Sequence, residues 1–461
     1  MKKIISFNFI CFCLFSYGQY QIGHTTITFN DPARTGGFGS GGGTGRQIQT
    51  EIYYPANTAG DNVAAATGQF PVITFGHGFA MSWEAYANIW QRYVAKGYIL
   101  AFPRTEGGLF PSPSHAEFGT DLKQVSDKIL EMNSNASSIL HNKILQKAAI
   151  MGHSMGGGAS FLAAANNNNI QTVIGLAPAE TNPSAISAAS NVGIPVLVFS
   201  GSTDGVTPPA DHHEPIYNGL TSTCKNYVSI TGGAHCFFAN SNLNCDFGEG
   251  TSSPNISITR QVQQDLTYTI LDPWLDYMLK GVCSAYSSFQ TALTSTTGTQ
   301  NQTICPNVAP VTVSSSNSTL TANSTGNVLT YQWNLNGNPI SGATSQNYNA
   351  TQNGNYTVDV TYAFGCATSS EYTYSNNTTN IENLKNNFLM MPNPVKDVLK
   401  ISVSIDGMKE IKILDLNGRI LKTIYSDKSE MIIDCQSLLT GIYILNFIWK
   451  DINYQTKFIK E

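Results

Sequence analysis

The sequence predicts an α/β domain with a mostly parallel central sheet, followed by two smaller all-β modules. Three observations carry this. Apolar, β-branched runs alternate with helix-length stretches through residue 285, the order that builds a parallel sheet covered on both faces. After residue 307 the pattern changes to short alternating runs separated by turn signals. The length, 461 residues, exceeds one ordinary domain.

The elements follow in chain order. Lys2 and Lys3 precede an apolar run, and Ser16, Tyr17 and Gly18 end it, so residues 1–18 read as a cleaved secretory signal. The run is too short for a permanent anchor, and no later segment is apolar enough to cross a membrane. The α/β domain spans 19–285. Its predicted strands are 72–75, 99–102, 148–151, 172–176, 196–200 and 227–230. Its predicted helices are 83–96, 117–132, 156–166 and 258–279. Residues 36–45 are glycine-rich and read as a mobile loop, without the strand-then-helix setting of a phosphate loop. A Thr/Ser/Gln-rich linker is expected over 286–306, and a second polar linker over 375–387.

Composition excludes some functions. Net charge is −5 and charged residues are 12%, which leaves no basic footprint for nucleic acid and no patch for anionic membranes. Two of the nine cysteines, Cys11 and Cys13, fall in the signal. In an exported protein the other seven are read as paired rather than metal-bound. Cys224, Cys236, Cys245 and Cys283 allow three pairings, of which Cys224–Cys283 with Cys236–Cys245 is favoured. Cys305 is expected to pair with Cys366, and Cys435 is left over. No metal site is expected.

Chemistry concentrates in "IMGHSMGGGAS". A strand, a G-x-S-x-G turn and a small-residue helix form a nucleophile elbow. Gly152 and Gly156 are needed because side chains there would strike neighbouring backbone. Ser154 is lifted clear of the sheet, and the following helix aims its N-terminal N–H groups where negative charge develops. A serine hydroxyl needs a base. Of eight histidines, His235 in "TGGAH" follows the last apolar strand and suits that role. His153 reads as structural, His212 and His213 as solvent-facing, and His24, His115 and His141 as misplaced. Asp204, in "SGSTDGVTPP", is the expected acid, with Asp211, Glu214 and Glu180 as rivals. The run 211–214, "DHHE", reads as a solvated turn rather than a metal site. The oxyanion donors are expected from Met155 and from Phe79 in "FGHGFAMSW", with the Phe79 ring forming a cleft wall. His77 is expected to shape that turn.

Residues 307–374 read as a β-sandwich. The run 353–356 resembles the tyrosine-corner region of immunoglobulin-like domains, and Trp333 suits their buried tryptophan. Val358 stands where an antibody-type domain carries its second core cysteine. The tail, 388–461, resembles the C-terminal sorting domain of type IX secretion substrates. The matching elements are P-N-P-x-x-D over 392–397, L-N-G-R over 416–419 and T-G-I-Y over 440–443. That resemblance implies the type IX secretion machinery as partner, and a secreted or surface-attached product. The alternative is a small β-domain with a binding role.

Residues 47–283 resemble bacterial cutinases and poly(ethylene terephthalate) hydrolases, within the dienelactone-hydrolase-like group of the α/β-hydrolase fold. The matching motifs are G-H-S-M-G-G-G over 152–158, D-x-[IV]-x-P over 204–208, "PIYNGL" over 215–220, and "GGAH" followed by Ala239 and Asn240. The resemblance implies Ser154, Asp204 and His235 as the triad, Phe79 and Met155 as oxyanion donors, and Val206 as a substrate contact. There are departures. "APAETNPSA" lacks the family's tryptophan, His77-Gly78-Phe79 replaces its P-G-[YF], and no cysteine stands beside Asp204. The expected function is a secreted serine hydrolase of carboxylic esters that acts on polyesters without a cofactor. A carboxylesterase or lipase on small or lipid-like esters is the enzymatic alternative. An inactive hydrolase-like surface adhesin is the alternative of another class.

Overall fold

The computed structural model describes residues 20–306, 308–375, 388–449 and 452–461. The signal over 1–18 and positions 376–387 of the second linker lie outside the described residues. The chain divides into two compact units. One holds the described residues up to Ser314 with Thr321–Tyr348 and Thr357–Glu371; the other holds Ser315–Leu320, Asn349–Tyr356 and Tyr372–Glu461.

The first unit is built on an 11-stranded sheet. Its strands are β1 (Gln21–Asp31), β2 (Gly37–Phe38), β3 (Arg46–Ala56), β4 (Gly60–Asp61), β5 (Phe70–Gly76), β6 (Ile99–Pro103), β7 (Ile144–His153), β8 (Thr172–Leu176), β9 (Val196–Gly201), β10 (Lys225–Ile230) and β11 (Thr299–Ile304). The order is β11-β10-β9-β8-β7-β5-β6-β3-β1-β4, with β2 on β3. From β6 to β10 neighbours run parallel, while β3 pairs antiparallel with β6 and β11 pairs antiparallel with β10. The helices are α1 (Ala87–Ala95), α2 (His115–Met132), α3 (Met155–Ala164), α4 (Ala185–Ala189), α5 (His213–Gly219), α6 (Leu243–Ser252), α7 (Arg260–Lys280) and α8 (Cys283–Ser295).

Alternation along the strands explains the two layers of core. Val72, Ile150, Val173 and Val198 face Phe118, Leu122, Val125 and Phe161 of α2 and α3. Ile73, Met151, Ile174 and Phe199 face Tyr93, Leu271 and Trp274 of α1 and α7. Both faces are buried, as continuous apolar runs require.

Three expectations need correction. Residues 286–306 are not a linker: they supply most of α8 and all of β11. Tyr286, Phe289, Ala292 and Leu293 form a buried stripe at helical spacing, with Phe289 packed 4.7 Å from Trp274. Serines and threonines fill the exposed face and mask the period. The glycine-rich loop also contributes: Gly37 and Phe38 pair with β3. The disulfides are Cys224–Cys305, Cys236–Cys245 and Cys283–Cys366. Only the second was anticipated. Register sets the first, because Lys225 lies opposite Ile304 and brings Cys305 to Cys224. The helical start of α8 then leaves Cys283 for Cys366.

Beyond the α/β sheet the described residues form only strands and their connections. In the first unit Trp333 is fully buried, and its indole N–H donates to the Ser345 carbonyl at 2.9 Å. In the second, the Tyr356 hydroxyl donates to the Gln352 carbonyl at 2.9 Å. The tail forms a three-stranded and a four-stranded sheet around Leu399, Ile411, Leu445 and Phe458, with Cys435 a buried free thiol.

Candidate active site

The site forms at one edge of the sheet. Ser154 follows β7, Asp204 follows β9 and His235 follows β10. These strands are parallel, so all three residues emerge at the carboxyl edge, where open α/β sheets build their sites.

Ser154 sits between β7 and α3 with φ 55° and ψ −121°. A side chain in that region costs roughly 1–3 kcal/mol, so surrounding contacts must hold it there. The glycines permit the turn. A Cβ on Gly152 would lie 2.2 Å from the Gly156 carbonyl oxygen. A Cβ on Gly156 would lie 2.2 Å from Gly76 backbone and 2.5 Å from the His77 carbonyl oxygen. The start of α3 therefore touches the end of β5 backbone to backbone.

That contact brings the two expected oxyanion segments together. As the first residue of α3, Met155 has an N–H with no acceptor inside the helix. Among the described residues the Phe79 N–H also has no hydrogen-bond partner. The loop is held from behind. The Gly78 N–H donates to the Tyr86 hydroxyl at 2.8 Å, and the buried His77 ring lies 2.9 Å from the Gly78 and Thr105 carbonyls. Burial pulls His77 below the usual imidazole range, which fits the expected turn-shaping part.

The acid and base meet directly: His235 Nδ1 lies 2.7 Å from Asp204 Oδ2. Asp204 Oδ1 accepts from the Val206 and Thr207 N–H groups at 2.9 and 2.8 Å. Burial pushes this carboxyl up. The charge and hydrogen bond of His235, with the Thr207 N–H, outweigh burial and hold it below the ordinary carboxylate range. Asp204 is therefore an anion beside the imidazole. Of the rival acids, Glu180 caps α4 through the Ile186 N–H at 2.9 Å.

Ser154 Oγ makes no hydrogen bond among the described residues, to His235 or otherwise. The elbow and the base loop are nonetheless adjacent. His153 Nε2 lies 3.0 Å from the His235 carbonyl oxygen, and the two rings are 4.7 Å apart. His153 Nδ1 lies 2.9 Å from the Tyr86 hydroxyl, so one buried chain joins the Gly78 loop, the elbow and the base loop. Burial, with His235 nearby, drives His153 well below the ordinary range and keeps it neutral.

The base loop is fastened on its far side. Cys236, next to His235, is bridged to Cys245 at the start of α6, and the Cys236 N–H donates to buried Glu249. Asn244 of α6 donates to the Ala80 carbonyl at 2.9 Å, tying α6 to the Phe79 loop. Phe79, Ala80, Leu109, Leu243, Asn244 and Phe247 line a groove of about 450 Å³ that contains no charged side chain. Leu243 and Phe247 are 85% and 73% exposed, so α6 presents apolar side chains to solvent. Val206 is partly exposed near Asp204.

Sequence reasoning missed several groups. His213 is not solvent-facing: it is fully buried with Ile216 and Tyr217 on the inner face of α5. The i, i+3, i+4 spacing of those three residues was the available signal. Thr207, Tyr86 and Glu249 carried no signal. Among the described residues no group of three or more His, Cys, Asp or Glu side chains could hold a metal ion, and no helix is long and apolar enough to cross a membrane.

Cutinase est1 of Thermobifida alba is 28% identical over 219 residues, 47% of this chain and 65% of that protein. Cutinase 1 of Thermobifida cellulosilytica is 28% identical over 215 residues, 46% of this chain and 72% of its own. Bis(hydroxyethyl) terephthalate hydrolase of Streptomyces coelicolor is 28% identical over 219 residues, 47% of this chain and 61% of its own. The first and third matches thus span less than two thirds of those relatives. Residues 389–461 match a secretion system C-terminal sorting domain, which marks the chain for type IX secretion as a secreted or surface-attached protein. Residues 16–271, more than half of the chain, match the PET hydrolase-like family model, and the chain belongs to that family.

Proposed function

We propose that this protein is a serine ester hydrolase acting on polyesters outside the cell. The observation that carries the reading is the 2.7 Å Asp204–His235 pair beside the strained Ser154 elbow. With Nδ1–H given to Asp204, His235 keeps a free Nε2 lone pair. Ser154 Oγ attacks the ester carbonyl carbon while its proton passes to His235 Nε2. The Phe79 and Met155 N–H groups stabilise the oxyanion. Collapse of the tetrahedral intermediate breaks the ester C–O bond, and His235 returns the proton to the leaving alcohol. Water repeats the sequence on the acyl-enzyme, releasing the acid and free Ser154. Asp204 stays ionised throughout and stabilises the imidazolium.

The uncharged groove beside Phe79 favours a polymer over a small ester, because it extends apolar surface beyond the oxyanion loop. Val206 serves as a further cleft-wall contact. The tail, residues 388–461, serves as the part read by the type IX machinery, and residues 307–374 as an immunoglobulin-like module.

Two assays test the reading. Wild-type protein should turn over p-nitrophenyl butyrate, and Ser154→Ala should lower kcat by at least about 10³-fold. No wild-type turnover would leave the adhesin. Soluble monomer should also appear from amorphous polyester film; turnover of the short ester with none from film would assign the small-ester alternative.

A further inference from the structure

A second imidazole lies behind the Asp204–His235 pair. Thr207 Oγ1 is 3.0 Å from Asp204 Oδ2, 2.8 Å from His235 Nδ1 and 3.0 Å from His213 Nε2. On its other side, His213 Nδ1 is 2.8 Å from Ser200 Oγ. The His213 ring is fully buried, with Nε2 3.7 Å from Asp204 Oδ2. No substrate atom can reach it, so it is not a second base.

Counting protons fixes the direction of these bonds. Burial lowers His213 to about 3, so the ring is neutral and has one donor and one acceptor. A Thr207 hydroxyl pointing at His213 would turn an oxygen lone pair toward the Asp204 anion at 3.0 Å. The opposite arrangement satisfies every group. Ser200 O–H donates to His213 Nδ1, His213 Nε2–H donates to Thr207 Oγ1, and Thr207 O–H donates to Asp204 Oδ2. Thr207 then holds both carboxylate oxygens, one through its N–H and one through its hydroxyl.

We propose that Thr207 and His213 are positioning residues of the hydrolase: His213 orients the Thr207 hydroxyl, and that hydroxyl fixes the Asp204 carboxylate against His235. This rests on the ester-hydrolase reading above. Asp204 Oδ2 has two donors to share, and losing the threonine hydroxyl lets the carboxylate rotate about its remaining backbone bonds. The misaligned imidazole then removes the serine proton less well. Substrate binding uses the side chains of Phe79 and Val206, which the loss of the threonine hydroxyl leaves in place.

The full-length protein tests this with p-nitrophenyl butyrate, with kcat expressed per serine labelled by a fluorophosphonate. Thr207→Val keeps the shape and the backbone N–H but lacks the hydroxyl. It should lower kcat per labelled site roughly 10–100-fold, the worth of one hydrogen bond to a charged group, with KM within about twofold. Thr207→Ser should restore kcat to near wild type. His213→Gln, which keeps a donor near the Nε2 position, should retain more activity than His213→Leu. Equal kcat per labelled site for wild type, Thr207→Val and His213→Leu would overturn the proposal, even if both variants melted earlier. A fall in kcat that Thr207→Ser fails to restore would overturn it too. Wild-type protein without turnover would overturn the ester-hydrolase reading, and this inference with it.

Discussion

Ser154 shows how much chemistry a single backbone conformation supports. Its positive φ is possible only because Gly152 and Gly156 yield space to β5 and α3. Gly156→Ala would drive a methyl group into Gly76 backbone, and no rotamer relieves a Cβ clash. We expect that variant to lose both fold stability and ester turnover, read as a lower thermal midpoint with little soluble active protein. The buried histidines give a second prediction, in pH. His213 is lowered to about 3, first by burial, so the folded state binds no proton where the unfolded chain, titrating near 6.5, does. The sign follows: the native state is favoured fully above about pH 6.5, and that advantage is lost as pH falls toward 3. Each such group steepens the loss by about 1.4 kcal/mol per pH unit, and His153 acts in the same direction. Urea midpoints measured from pH 7 to pH 4 should fall in wild type and fall less steeply in His213→Gln. Equal slopes would refute the assignment of a neutral, buried His213.

At the scale of elements, legibility followed the hydrophobic pattern. The six predicted strands all lie within observed strands because both faces of each are buried. β1 and β3, on the antiparallel flank of the sheet, carry no clear strand signal, since polar residues interrupt their apolar alternation, as in "QIGHTTITFND". α8 went unread because serine and threonine masked its period. The Ser154 elbow and the Asp204–His235 pair lie where G-x-S-x-G and chain order place them, but the groups behind them carried no signal. Thr207 acts through a position that only the folded loop defines. α6 is the element whose composition is hardest to explain as structure. It exposes Leu243 and Phe247 while Asn242 caps it and Cys245 staples it to the base loop. If that face contacts polymer, Leu243→Ser with Phe247→Ser should reduce monomer release from film several-fold while turnover of p-nitrophenyl butyrate stays within about twofold. Parallel losses in both assays would mean that α6 supports the catalytic loops instead. The staple predicts the opposite pattern. Replacing Cys236 and Cys245 by serine should cost roughly 2–4 kcal/mol of stability, seen in a denaturant midpoint, and lower turnover of both substrates.

At the scale of the molecule, the sheet extends past the change in composition. Residue 285 looks like the end of the α/β domain, yet Tyr286, Phe289 and Leu293 are buried against α7, and β11 covers the edge of β10. Each of those side chains contributes roughly 1.5–3 kcal/mol by leaving water. The Cys224–Cys305 bridge spans 81 residues and adds about 4 kcal/mol on the loop-closure account. Together these rival the entire 5–15 kcal/mol by which a typical protein is folded. A chain of residues 20–285 should therefore be insoluble or melt far below the full-length protein, and show little ester turnover. A chain of residues 20–306 retains α8, β11 and Cys305 and should remain folded, with turnover of p-nitrophenyl butyrate close to that of the full chain. Its Cys283 lacks Cys366 and should react with a thiol reagent once unfolded, whereas Cys224 and Cys305 should not until they are reduced. Equal midpoints for the two truncations would show that the stability of the α/β domain ends where its composition changes, and that β11 only decorates the sheet. A midpoint gap of tens of degrees would place the functional boundary at the bridge to Cys305.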